Sequence, residues 1–64
     1  ELTEKQRQAI TAAVAAGYYE TPREVSLGDL ADRIGISKSA LSQRLKAAES
    51  KLVNAAFSRS HPSY

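Results

Sequence analysis

The chain lacks cysteine altogether and has a single histidine, His61, among its 64 residues. Without thiolates it can form neither a disulfide nor a zinc–thiolate site, and one imidazole alone does not supply a structural metal site. No apolar run approaches the ~18 residues that a membrane-spanning helix needs, and no signal-peptide pattern opens the sequence. We therefore expect a cytoplasmic domain that has no metal, no cofactor and no membrane partner.

Side chains that could catalyse a reaction are equally scarce. The histidine lies near the end of the chain, and the carboxylates lie near predicted helix starts, where capping explains them. An enzyme would need a nucleophile beside a base, or two converging carboxylates, so we predict no enzymatic activity. No initiator methionine precedes Glu1, and we expect one small domain of a longer polypeptide, with modest stability.

The charged residues are segregated along the chain. Residues 1–32 hold three cations and six carboxylates, a net charge of −3, whereas residues 33–51 hold five cations and one carboxylate, a net charge of +4. The overall charge of +2 hides this asymmetry. A cationic segment of this kind suits a surface that faces a polyanion, although a solvated basic helix face would show the same charges.

Cap residues predict where the first helix begins and ends. Thr3 can accept a hydrogen bond from the third residue of a helix, and Gln6 can return one, so we place the first helix at residues 4–16. Gly17 follows, and glycine readily adopts the left-handed conformation that ends helices.

A connector follows the first helix, because Pro22 excludes a continuous helix through it. Tyr18 and Tyr19 open this connector. Their rings are apolar and their hydroxyls polar, so we expect them to close a small core at its edge, with a hydroxyl contact to phosphate as the alternative.

Two further helices are predicted to meet at a sharp corner. Ser26 and Ser37 can cap them, and Gly35 allows a left-handed backbone that would cost ~1–2 kcal/mol with a β-carbon present. Ala31 is small enough to lie beneath the following helix, and its spacing to Gly35 and Leu41 is typical of a helix-turn-helix. The aliphatic residues expected to fill the angle are Leu30, Ile34, Ile36, Leu41 and Leu45.

The third helix is expected to read DNA bases with the side opposite its core stripe. Leu41, Leu45 and Ala48 project within ~40° of the core direction, so the opposite side faces solvent. That side carries no carboxylate before Glu49, and a glutamine or lysine there can bond base edges in the major groove. We predict a recognition helix at residues 38–50, and its base-contacting residues would be Ser39, Ser42, Gln43 and Lys46.

Groups around the corner are predicted to contact the DNA backbone. The first amides of a helix lack intrahelical partners and favour anions, and nearby cations strengthen this preference. The predicted phosphate contacts are Arg33, Ser37, Lys38 and Arg44, with Arg23 in the connector as a weaker candidate.

The end of the third helix is more apolar than a solvated helix requires. We expect Leu52 to complete the core. Val53, Ala56 and Phe57 either fold back in the same way or form a seam between two subunits of a homodimer. The predicted fold is therefore an all-α helix-turn-helix domain of three to four helices, at residues 1–57, followed by a disordered tail at residues 58–64 in which His61 has no role.

Several short motifs together resemble the helix-turn-helix domain of the archaeal bacterio-opsin activator family. They are a leading LT, GYYE after the first helix, PR in the connector, and the series LA, GIS, L and L between residues 30 and 45. The resemblance covers about residues 2–57 and departs from the family at Ile34, where leucine is common. More distantly, the chain is similar to LuxR-like regulators and to region four of sigma factors.

The resemblance implies the C-terminal domain of a transcription regulator. Such a domain binds double-stranded promoter DNA and acts on the transcription machinery, while upstream domains receive a signal. The alternative is a helical module that binds another protein, which would need exposed aromatic or leucine side chains on the outer side of the third helix. That side has none between residues 38 and 50. An RNA-binding module would need an exposed aromatic platform.

Overall fold

The computed structural model describes residues 1–60, with side chains described as far as residue 58. It contains the helices α1 (Glu4–Ala16), α2 (Leu27–Ile34) and α3 (Lys38–Ser60). No strand occurs among these residues, so the all-α fold class is confirmed. The predicted bounds of α1 are confirmed, and α2 and α3 begin directly after the predicted caps Ser26 and Ser37.

A reciprocal pair of hydrogen bonds fixes the start of α1. The Gln6 amide donates to Thr3 Oγ1 at 3.1 Å, and the Thr3 amide donates to Gln6 Oε1 at 3.0 Å. Lys51 Nζ donates to the same Gln6 oxygen at 2.9 Å, which ties the start of α1 to the middle of α3. At its other end α1 stops at Gly17, whose φ of +83° is the left-handed conformation expected there.

The corner between α2 and α3 has the predicted geometry. Gly35 has a φ of +76°, and its amide donates to the Ala31 carbonyl at 2.9 Å. The Ile36 amide donates to the same carbonyl at 3.1 Å. Ser37 Oγ then accepts the Ala40 amide at 3.0 Å and caps α3. Three residues therefore suffice to end one helix and begin the next.

One core cluster joins all three helices and the connector. Its buried members are Ala9, Ala13, Tyr18, Val25, Leu30, Ala31, Leu41 and Leu45. Ile34 does not belong to it, contrary to expectation, and is 36% exposed. Ile34 is the last residue of α2, and the chain turns away from the core there. Leu30, one turn earlier, is fully buried and fills the angle between α2 and α3.

The second half of α3 extends beyond the core. Ala48 is its last buried residue, and every side chain from residue 50 to residue 58 is exposed. Leu52 was expected to complete the core but is 45% exposed, because it borders a surface pocket between α3 and the start of the chain, which Leu2 and Arg7 also line. The helix also continues to Ser60, so residues 58–60 are helical where we expected the tail to begin. Residues 61–64, with His61, lie outside the described part of the chain.

Candidate DNA-binding surface

The outward side of α3 presents polar side chains that have no partner in the part of the chain that the structure describes. Burial of Leu41, Leu45 and Ala48 fixes the rotation of the helix about its axis. Ser39, Gln43 and Lys46 then point outward and are exposed, and Ser42 lies partly buried at one edge. None of these four predicted base-contacting side chains forms a hydrogen bond or an ion pair with the side chains described as far as residue 58 or with the backbone of residues 1–60. The structure thus brings them together on one helix face, with their donors and acceptors available.

The corner collects most of the predicted phosphate contacts. Arg33, at the end of α2, and Lys38, at the start of α3, lie on either side of the turn, and both are exposed. The Ser37 hydroxyl accepts the Ala40 amide and retains its own proton as a donor. The first turn of α3 contains no carboxylate. Backbone amides, hydroxyl and cations here form the kind of surface that favours an anion.

Arg44 and Arg23 are placed differently from the corner residues. Arg44 is partly buried and projects from α3 on the edge opposite Ser42. Arg23 lies in the connector, where its guanidinium carbon is 4.2 Å from the centre of the Tyr18 ring. This cation–π contact holds Arg23 against the domain and leaves its charge exposed.

The connector is attached to α3 by a contact that the sequence did not predict. The Tyr19 hydroxyl donates a hydrogen bond to the Glu49 carboxylate on α3. Tyr19 also packs edge-on against Tyr18, with ring centres 5.1 Å apart and planes at 81°. Partial burial and then the neighbouring Glu49 carboxylate raise the pKa of the Tyr19 phenol above its ordinary value, so it remains a donor.

Only Tyr18 takes the place at the edge of the core that was expected of both tyrosines. Tyr18 is buried and closes the core, as predicted, whereas Tyr19 is 42% exposed and bridges the connector to α3. The partners Tyr19 and Glu49 are thirty residues apart in sequence. The only prior signal was that Glu49 is the one carboxylate between residues 33 and 51.

The cations of this surface form no ion pairs with carboxylates of the described residues. The only ion pair among the described residues joins Arg7 and Glu4 on α1, far in sequence from the corner. Arg33, Lys38 and Lys46 have no carboxylate partner in that part of the chain. The cations of α3 and the corner are therefore left unpaired by the described carboxylates.

Comparison with known proteins gives three informative relatives. Residues 2–54 match the family described as HTH DNA binding domain. The chain is 60% identical over 63 residues to the dimethyl sulfoxide reductase transcriptional activator of Halobacterium salinarum, covering 98% of the chain and 28% of that protein. It is 62% identical over 56 residues to the activator of the same name from Haloferax volcanii, covering 88% and 26%. It is 40% identical over 57 residues to the bacterioopsin transcriptional activator of Halobacterium salinarum, covering 89% and 8%.

The matched region includes α1, α2 and α3 as far as residue 54. The chain spans about a quarter of the length of the first two relatives. No solved structure matches it. Within residues 1–60, no helix is both long enough and apolar enough to cross a bilayer.

Proposed function

Because the chain belongs to the HTH DNA binding domain family and matches its bacterio-opsin activator type, we propose that α3 enters the major groove of promoter DNA. DNA binding is the property of the family, and relatives of the chain are named as transcriptional activators. We further propose which residues of α3 contact the DNA bases. Gln43 and Lys46 meet base edges near the centre of the contact, and Ser39 and Ser42 allow close approach at its margins.

The observation that carries this proposal is the outward face of α3. Its base-contacting candidates have no partner within the described residues, so binding DNA breaks no internal hydrogen bond. The face is polar and lacks a carboxylate before Glu49. A helix of this diameter fits the ~12 Å width of the major groove.

Phosphate contacts at the corner would set the orientation of α3 in the groove. Arg33, Ser37 and Lys38 are close together in sequence across the turn and exposed. Arg44 and Arg23 would contact phosphates of the DNA backbone on either side of α3. Contacts of this kind fix register and carry no sequence information themselves.

We also propose that two copies pair through the exposed end of α3. At ~100° per residue its apolar side chains cover an arc of ~200°, wider than the stripe of a helix that packs on one neighbour. The residues in this arc are Leu52, Val53, Ala55, Ala56 and Phe57. Val53 is 64% exposed and Phe57 53% exposed. A second copy would bury this arc. The dimer could then contact two half-sites of the DNA, which a small module needs for tight binding.

The whole protein would be a transcriptional activator that uses this chain as its C-terminal DNA-binding domain. Two relatives are named for activation of dimethyl sulfoxide reductase, and we propose a promoter of that enzyme as the target of this chain. A signal received elsewhere in the protein and contact with the transcription machinery belong to the same proposal. So does a cytoplasmic location, because the domain must reach the chromosome.

A protein-binding module, the alternative from the sequence, fits the surface less well. The outward face between residues 39 and 50 has no large apolar side chain to dock a partner. The exposed apolar residues of α3 begin only at Leu52. That arrangement suits pairing at one end of the helix and DNA at the other.

Titration of labelled duplexes at two salt concentrations tests the proposal. The duplexes are one selected by the domain from a random pool, one from a dimethyl sulfoxide reductase promoter, and one of scrambled sequence. We expect the domain to bind the selected and promoter duplexes at least ~10-fold more tightly than the scrambled one. Affinity should also fall steeply as the salt concentration rises, because several phosphate contacts release counterions. A steep salt slope without sequence preference would leave only a general DNA binder.

A further inference from the structure

We propose that Tyr19 is a positioning residue for the DNA-binding face, because its hydroxyl holds the Glu49 carboxylate away from Lys46. The inference deepens the proposed function and rests on it, since it concerns a cation on the outward face of α3. It assigns a role to the connector that neither the core nor the cap residues require.

Lys46 and Glu49 are natural partners within α3. They are three residues apart, so their β-carbons lie on neighbouring turns of the same side, within reach of an ion pair. In the structure they do not pair. The Glu49 carboxylate accepts the Tyr19 hydroxyl instead, and Lys46 forms no bond within the described residues.

Contacts that do not involve Glu49 fix the position of Tyr19. The left-handed Gly17 turns the chain, and the Tyr18 amide donates to the Ala13 carbonyl at 2.9 Å. The buried Tyr18 ring then supports the edge of the Tyr19 ring. The hydroxyl of Tyr19 is thus presented to α3 by backbone and packing, where it meets the partly buried Glu49.

Release of Glu49 would harm DNA binding in two ways. The carboxylate could pair with Lys46 and withdraw its charge from the duplex. It is also the one negative side chain between residues 33 and 51, and unrestrained it would stand nearer to the phosphates and repel them. Tyr19 prevents both by holding Glu49 on the connector side.

The test is a double-mutant cycle with Tyr19→Phe and Glu49→Gln. Tyr19→Phe retains the ring and removes only the hydroxyl, so we expect about two- to fivefold weaker binding of the selected duplex at low salt, with the salt slope reduced by up to about one. In the Glu49→Gln background, the same change is expected to have no effect on affinity or slope. Tyr18→Phe is the matched control and is expected to bind as the unaltered chain does. It keeps the ring that contacts Arg23 and Tyr19 and removes a phenol hydroxyl that forms no hydrogen bond among the described side chains.

A purely structural role for Tyr19 would give a different result. Tyr19→Phe would then weaken binding equally in both backgrounds and lower the melting temperature, and that outcome would overturn the inference. Lys46→Ala in the same titration distinguishes failure of the Tyr19 role from failure of the proposed DNA-binding face. If Lys46→Ala weakens binding and Tyr19→Phe does not, only the role of Tyr19 is wrong. If Lys46→Ala has no effect, the proposed face itself is wrong, and the inference falls with it.

Discussion

The side chain of Glu24 occupies the space that a β-carbon on residue 17 would need. The Glu24 Cβ lies 2.7 Å from that position, and the Glu24 amide donates to the Gly17 carbonyl at 3.0 Å. Gly17 is therefore required both by its left-handed backbone and by the close return of the connector. Gly35 is left-handed too, but no atom lies within 4 Å of the corresponding position.

The two glycines should respond differently to alanine. Gly35→Ala meets only the backbone penalty and should destabilise the domain by ~1–2 kcal/mol. Gly17→Ala must also displace Glu24 and should cost a further ~1–3 kcal/mol, as overpacking generally does. Urea unfolding followed by circular dichroism measures both variants. Equal losses would show that the connector does not pack against Gly17 as described.

Leu41 and Leu52 belong to the same helical stripe but differ in burial. Leu41 is fully buried, whereas Leu52 is 45% exposed. We expect Leu41→Ala to lower the free energy of unfolding by ~2–5 kcal/mol, and Leu52→Ala by less than ~1 kcal/mol at concentrations where the chain is monomeric. A large loss at Leu52 under those conditions would mean that the end of α3 folds back onto the core.

Gln43 and Lys38 should separate base contact from phosphate contact. Gln43→Ala is expected to relax the sequence preference at one position by ~1–3 kcal/mol while leaving the salt slope unchanged. Lys38→Ala, its control, should weaken binding to all duplexes alike and reduce the salt slope by about one. Competition titrations against duplexes that differ at single positions measure both effects. If discrimination survives in Gln43→Ala, another register of α3 faces the bases.

The exposed end of α3 should make association depend on concentration. Sedimentation at micromolar concentrations is expected to detect a dimer, because a second copy buries the apolar arc that the monomer leaves in water. Val53→Glu, which places a charge within that arc, should shift the chain to monomer without lowering its helix content. A chain that remains monomeric at all concentrations would refute the proposed seam.

The sequence predicted those features that short-range chemistry determines. Thr3, Ser26 and Ser37 cap their helices, and Gly17 and Gly35 end them, because each depends on atoms within a few residues. Periodicity also identified the buried face of α3. It could not tell that the start of the chain leaves a pocket beside Leu52, which is why Leu52 was wrongly assigned to the core. The Tyr19–Glu49 bond depends on two distant segments meeting, and no local pattern encodes that.

The base-contacting residues stay predictions, since they depend on the position of the duplex. What the structure adds is that Ser39, Gln43 and Lys46 share one exposed face and have no partner within the described residues. Their side chains are small or flexible, so the register of contact with bases follows from docking rather than from the isolated fold. A measurement on the complex with DNA assigns this register.

The most direct such measurement is a titration of the isotope-labelled chain with the selected duplex, followed by NMR at each amide. We predict that the largest changes fall on the amides of residues 37–46 and on the side-chain amide of Gln43. Amides of Gln8, Thr11 and Ala15, which are exposed on α1, should remain unchanged. Largest changes on α1, with residues 37–46 unaffected, would contradict the claim that α3 is the helix that meets DNA.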